Sequence, residues 1–279
     1  MLKNLKKFVT GGLAVITTSA CLGMFTACET NRPKVELTVS FDQQSYTLEY
    51  NLYRKITPQT VAHFLALADA GFYKDMCVHN VGEDAWFTGA YEYKNNTLSL
   101  KDYYATAKKV VDKKVWLTNP KADVSAVPAY TLYGEFESNY FSVENGALKE
   151  ERGALVMYYT QKDTDAEVYV EPNGSKTPAL RDYEPNSATS QFYISFNVEE
   201  TAQYNNHYCV FATLTEDSVD DFNALTLAVA EKMEEDEDFL QDVTVAQDVG
   251  DPIVGDYHAE VTYQVPTSPI KITVTVKKF

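Results

Sequence analysis

The chain is poor in cysteine and in arginine, with four of each among 279 residues. Cysteines at 21, 28, 77 and 209 make no disulfide framework, which excludes a fold stapled by bridges. The histidines, His63, His79, His207 and His258, stand at no metal-ligand spacing with one another or with a cysteine. Lysine and arginine number 24 against 40 acidic residues, a formal charge of −16. A surface of that sign repels phosphate backbones and anionic lipid headgroups, so nucleic acid is excluded as a partner. No glycine-rich phosphate loop or nucleophile elbow is present, which removes nucleotide and hydrolase chemistry. The acidic run from Glu234 to Asp238 lacks the calcium-loop pattern and reads as a solvated face. No metal and no cofactor is expected.

What is present starts with residues 1–27: a basic beginning at Lys3, Lys6 and Lys7, an apolar stretch from Phe8 to Phe25, then Thr26-Ala27 before Cys28. Gly11-Gly12 and Thr17-Thr18-Ser19 make a poor membrane helix and no stop-transfer charges follow, which is the pattern of a signal peptide. The small residue ahead of Cys28 resembles a lipobox, implying acylation of the Cys28 thiol. Phe25 departs from the leucine usual at its position, and Cys21 is a competing site. An uncleaved signal anchor and a plain secreted protein are the alternatives. Two acyl chains, at about 0.8 kcal/mol per buried methylene, anchor a protein stably. Residues 28–34 would then be a lipidated linker, holding the acidic domain outside the cell membrane to which it is anchored. Cys77 and Cys209 sit in apolar, β-rich runs and read as small buried hydrophobes in preference to a bridge.

Beyond the linker, Val35 to Phe41 alternates as a strand, with Tyr46 to Tyr53 as its partner. A helix is expected from Pro58, capped by Thr57, with Val61, Phe64, Leu65 and Ala68 on its apolar face and Gly71 at its end. A second begins at Ser218, with Phe222, Leu225, Val229 and Met233 as its stripe. Further strands are expected at 153–159, 190–196, 207–214 and 269–276. Two helices among many strands, without strict alternation, point to a mainly β barrel or an α+β domain.

Residues 57–73, TPQTVAHFLALADAGFY, are followed in register by Val78-His79-Asn80-Val81. Gly134-Glu135-Phe136 leads to Arg152-Gly153-Ala154-Leu155-Val156-Met157, and Asn186-Ser187-Ala188-Thr189-Ser190-Gln191-Phe192-Tyr193-Ile194 leads to Tyr208-Cys209-Val210-Phe211. In order and spacing these stretches resemble the cyclophilin family of peptidyl-prolyl isomerases. Singly each is weak; jointly they are specific. The resemblance spans about residues 35–279, with insertions at about 91–131 and 161–185. It implies a mainly β fold, a closed eight-stranded antiparallel barrel capped by two α-helices.

Rotation about a prolyl bond crosses roughly 18–20 kcal/mol and needs no nucleophile, metal or proton relay. A catalyst needs an apolar pocket for the proline ring and a donor aimed at the proline nitrogen, drawing its lone pair out of conjugation. In the family that donor is an arginine, helped by a glutamine eight residues on. Here Asn80 holds the arginine position and Thr88 the glutamine position. Loss of the arginine alone implies roughly 10²–10³ in rate. Of the other arginines, Arg181 is the candidate replacement, and arginine restored at position 80 should raise the rate if the pocket is otherwise intact.

The resemblance further implies a proline floor of Ala85, Trp86, Tyr193 and Tyr204, with Tyr208 where the family has histidine or tyrosine, and with Gln191 retained. The face that Trp86 presents depends on the Gly82-Glu83-Asp84 loop, where a slip of one residue turns it over. Structural roles are expected for His63 and His79. Aromatic faces suit a proline ring, so binding could outlast catalysis. One expectation is therefore a peptidyl-prolyl isomerase-like lipoprotein with reduced catalysis, acting on exported proline-containing or unfolded chains. The alternatives are a non-catalytic proline-peptide-binding chaperone or assembly module, and a solute- or glycan-binding lipoprotein that uses the barrel as a scaffold.

Overall fold

Alternating apolar and polar residues build the first hairpin, in which β1 (Lys34–Phe41) and β2 (Gln44–Leu52) pair antiparallel. Val35, Leu37, Val39, Leu48, Tyr50 and Leu52 are buried along one face. The turn residues Asp42 and Gln43 both have positive φ, 46° and 64°, the mirror-image turn whose twist matches a hairpin. The structure, a computed structural model, describes residues 32–95, 97–110, 132–133, 135, 148–159, 167–170, 179–182, 187–196, 209–246 and 260–277.

Helix α1 (Pro58–Asp69) starts on proline and buries Val61, Phe64, Leu67 and Ala68. Leu65, expected on that face, is only half-buried; Leu67 takes its place. Thr57 does not cap the helix with its side chain, because its hydroxyl turns back toward the Tyr53 carbonyl. The unpaired amides of Gln59 and Thr60 instead donate to the Glu135 carboxylate, at 3.1 and 2.7 Å. A carboxylate at a helix N-terminus satisfies orphan amides and meets the positive end of the helix dipole. Burial raises the Glu135 pKa, and the two amides oppose that shift.

Chain order continues with β3 (Met76–Cys77), β4 (Asn80–Val81), β5 (Ala85–Thr88), β6 (Tyr91–Lys94), β7 (Thr97–Leu100), α2 (Tyr103–Val110), β8 (Leu132–Tyr133) and β9 (Leu155–Tyr159). A separate hairpin pairs β10 (Glu167–Val170) with β11 (Ala179–Asp182). Then come β12 (Ser187–Ser195), β13 (Cys209–Leu214), α3 (Val219–Glu235), β14 (Leu240–Ala246), β15 (Glu260–Pro266) and β16 (Lys271–Val276). The main sheet runs β4-β5-β12-β9-β13-β2-β1-β16-β3-β6-β7, with β8 beside β12, and every pairing in it is antiparallel.

The fold is mainly β, with twelve strands in the main sheet where eight were expected. Two of the eight are broken: 76–81 divides into β3 and β4, and 85–94 into β5 and β6. Strands β7 and β8 are additions. The sheet is strongly curled, so that β4 at one end and β3 near the other are successive pieces of one stretch of chain.

Inside the curl, Phe64 of α1 sits 4.9 Å from the Phe211 ring and 5.4 Å from Phe192, ring centre to ring centre. Helix α3 buries Phe222, Leu225 and Val229, but Met233 is 41% exposed and stands off the expected stripe. Helix α2, from the 91–131 segment, is a third helix where two were expected. It packs on α1 through Tyr103, whose hydroxyl is 3.4 Å from His63 Nε2. The hairpin β14–β15 is another element for which no sequence signal was read. Among the described residues, no helix is long and apolar enough to cross a membrane.

The break between β5 and β6 depends on Gly89, whose φ is 93° and whose added Cβ would stand 2.4 Å from the Ser190 carbonyl oxygen. Strained φ and a backbone clash act together at this position. Gly89→Ala is expected to cost about 2–4 kcal/mol of folding free energy, read as a lower urea midpoint at unchanged slope. A midpoint within error of wild type would show that β12 can move aside at no cost.

Candidate functional site

The site is set by the register of β4 and β5. The three-residue loop Gly82-Glu83-Asp84 pairs Asn80 with Phe87 and Val81 with Trp86, and β12 then pairs Tyr193 with Phe87 and Ile194 with Trp86. Residues directly opposite one another share a face. One face carries Ala85, Tyr193, Val156, Val210 and Ala154 as a buried cluster, with Phe87 and Leu148 packed against it. The other carries Val81, Trp86, Met157, Phe192 and Ile194 into the core inside the curled sheet.

Trp86 is therefore on the core face, not with Tyr193. It is 5% exposed, and its ring lies 4.6 Å from Phe196. This corrects its placement in the proline floor, and the reason is the period of two: the loop length determines which of two neighbours faces out. Phe87 takes the place beside Tyr193, their ring centres 5.4 Å apart. Thr88 also faces inward. It is wholly buried, and its hydroxyl donates to the Cys77 carbonyl at 2.8 Å, so it is turned away from the Tyr193 face. Ala85 and Tyr193 are brought together as expected, and Gln191, two residues before Tyr193, is half-buried. Tyr204, Tyr208 and Cys28 lie outside the described residues, as does the side chain of Arg181, which falls on β11.

Asn80 is half-buried, and its side chain is engaged. Its Oδ1 accepts a 2.9 Å hydrogen bond from the backbone amide of Gln264 on β15. Next to it, His79 is buried between the rings of Tyr91 and Tyr263, each centred 4.9 Å away. Burial pushes the His79 imidazole down to about 3, against a small opposing effect of the neighbouring Gln191 side chain. His63, whose Nε2 pairs with the Thr189 carbonyl at 2.6 Å, is pushed down to about 4, again by burial first. Both imidazoles are neutral at ordinary pH, which fits structural roles. Cys77 and Cys209 are free, buried thiols raised by burial to about 12, far from reactive thiolates.

A carboxylate that the sequence did not single out borders the Tyr193 face. Glu150 is buried at 9% exposure, and burial raises its pKa. The Ser195 and Tyr193 side chains oppose that shift, and Asp84 adds to it. No local signal marks Glu150, because Ser195 and Tyr193, which act on it, lie on the distant strand β12.

The geometry is that of an apolar, aromatic patch on a curled antiparallel sheet, with an asparagine at its border. A profile described as cyclophilin type peptidyl-prolyl cis-trans isomerase/CLD matches residues 36–247 of this chain. The chain belongs to the cyclophilin family. Two crystal structures of a Cryptosporidium parvum cyclophilin-type peptidyl-prolyl cis-trans isomerase are similar to it at 15% identity. They cover 89% and 88% of this chain and 99% of their own, with TM-scores of 0.41 and 0.40; the second was determined in the presence of the dipeptide Ala-Pro. No curated protein matches the chain. Strands β15 and β16 of this cyclophilin lie beyond the residues that the profile matches.

Proposed function

We propose that this cyclophilin binds proline-containing segments of exported chains, tethered outside the membrane through Cys28, and that it isomerises them more slowly than members with the arginine. The observation that carries this reading is Asn80. The family's electrostatic donor is replaced by a neutral amide whose oxygen already accepts the Gln264 N–H. Thr88, at the second helper position, faces the core. Ala85, Phe87, Val156, Tyr193 and Val210 form an apolar face, and an aromatic wall can grip a proline ring without a donor at the nitrogen. That contrast also supports the second reading, a proline-peptide holdase without turnover.

Two measurements test the proposal. Binding and catalysed cis–trans exchange of an Ala-Pro-containing tetrapeptide separate isomerase from holdase, since the holdase binds without accelerating exchange. Binding of neither this peptide nor an unfolded proline-rich chain would defeat both readings and favour the scaffold alternative. The tether is read separately by cell fractionation. Cys28→Ser is expected to move the protein from the membrane to the soluble fraction, with loss of the diacylglycerol mass; retention of Cys28→Ser on the membrane would point to an uncleaved anchor.

A further inference from the structure

The hairpin β14–β15 lies against the strand that carries the family's arginine position. Its strand β15 runs alongside β4, and Tyr263 and Val265 form a buried cluster with Cys77, Ala90 and Tyr91. Two contacts fasten it at the border of the Tyr193 face. The Gln264 amide donates to Asn80 Oδ1 at 2.9 Å, and the Tyr263 ring stands edge-on to His79 with centres 4.9 Å apart. Across the hairpin, Gln264 Nε2 donates to Asp242 Oδ1, and Thr244 and Thr262 hydroxyls meet at 2.9 Å, so its two strands are tied on the opposite face as well.

His79 connects this hairpin to the peptide site. Its ring touches Tyr263, and its backbone amide donates to the Phe87 carbonyl at 3.0 Å, on the strand that pairs with the β12 strand of Gln191 and Tyr193. Phe192 and Ile194 point into the core, so Gln191 and Tyr193 share the face that borders Asn80. We propose that hairpin β14–β15 is a wall of the proline-peptide site, with Asn80 and His79 as the positioning residues that hold it there. The position that supplies a donor to the substrate elsewhere in the family supplies, in this chain, an acceptor for its own β15. The hairpin then defines the edge of the site and selects which residue next to the proline can enter. This inference rests on the proline-binding reading above.

The test uses the full chain with Asn80→Leu, which removes the acceptor at similar volume, Asn80→Asp, which keeps it, and Tyr263→Leu, which removes the ring but stays apolar. Amide hydrogen exchange at Gln264 reads the clamp. Titration with a tetrapeptide containing Ala-Pro reads the site. Asn80→Leu is expected to speed Gln264 exchange at least tenfold and to weaken peptide binding at least fivefold, with exchange in β1 and β2 unchanged. Tyr263→Leu is expected to weaken binding to a similar extent, while Asn80→Asp retains slow exchange and wild-type-like binding.

Unchanged Gln264 exchange in Asn80→Leu would overturn the clamp. Faster exchange with unchanged peptide affinity would overturn the wall, leaving the hairpin a structural addition, and would leave the proline-binding reading intact. Failure of the wild-type chain to bind the peptide would overturn that reading and the wall together, whatever Gln264 exchange shows.

Discussion

In a prolyl isomerisation assay, this cyclophilin is expected to accelerate a model peptide roughly 10²–10³-fold less than a family member with arginine at the position of Asn80. The magnitude follows from the chemistry of the barrier. The transition state is reached when the proline nitrogen leaves conjugation, and a preorganised donor there is worth about 3–4 kcal/mol. Asn80 has a donating Nδ2, but its Oδ1 is fixed by the Gln264 amide, which ties the side chain to the hairpin. Thr88 offers no help, with its hydroxyl committed to the Cys77 carbonyl on the core face.

The same contacts change what arginine at position 80 should do. From sequence alone the substitution restores a donor and raises the rate. In the fold, Asn80→Arg must first give up the bond to Gln264 and make room beside β15. The expected result is a gain below tenfold, accompanied by faster amide exchange at Gln264. Exchange spectroscopy on a prolyl tetrapeptide, run on wild type, Asn80→Arg and Arg181→Ala together, checks this. Full recovery in Asn80→Arg would mean that the hairpin yields freely. Strong wild-type activity lost in Arg181→Ala would mean that the donor comes from the 161–185 segment.

Acid is expected to destabilise the domain sharply between pH 6.5 and 4.5, through His63 and His79. Their folded pKa values, about 4 and about 3, lie below the ordinary 6.5 because burial penalises the charged imidazole. Below 6.5 the unfolded chain takes up protons that the folded chain refuses. The unfolded state thus binds more protons, and stability rises with pH through this window. The contribution is fully present above 6.5 and is lost as pH falls toward 4 and 3.

Each histidine contributes roughly 1.4 kcal/mol per pH unit, so two units of acidification cost on the order of 4–5 kcal/mol for the pair. That is a large share of a typical domain stability of about 5–15 kcal/mol. Glu135 and Glu150 act in the opposite sense. Their folded pKa values are raised, so the folded state binds more protons above 4.5, and stability there falls as pH rises. Urea midpoints at pH 7, 5.5 and 4.5 measure the sum, and His79→Leu should remove about half of the histidine slope. An acid slope in His79→Leu equal to that of wild type would mean that the His79 imidazole reaches water in the folded state.

By itself the sequence determined the family, the mainly β class, the β1–β2 pairing and the two longer helices. Each of these is written in local periodicity or in short motifs: alternation from 35 to 53, Pro58 with its apolar stripe, and three blocks in family order. The resemblance also singled out Asn80, since its place is counted along one short motif. The tertiary structure decided the face of every residue around it. Trp86 and Phe87 are neighbours in sequence, and a three-residue loop together with the pairing to β12 determined that Phe87, not Trp86, would stand with Tyr193.

It also decided what caps α1, because Glu135 lies 75 residues from the Thr60 amide that it accepts. The same holds for what Asn80 does, because Gln264 comes 184 residues later, on β15, beyond the residues that the family profile covers. A hydrogen bond between such distant positions leaves no period or spacing in the sequence. It exists only once the curled sheet has brought β4 and β15 side by side.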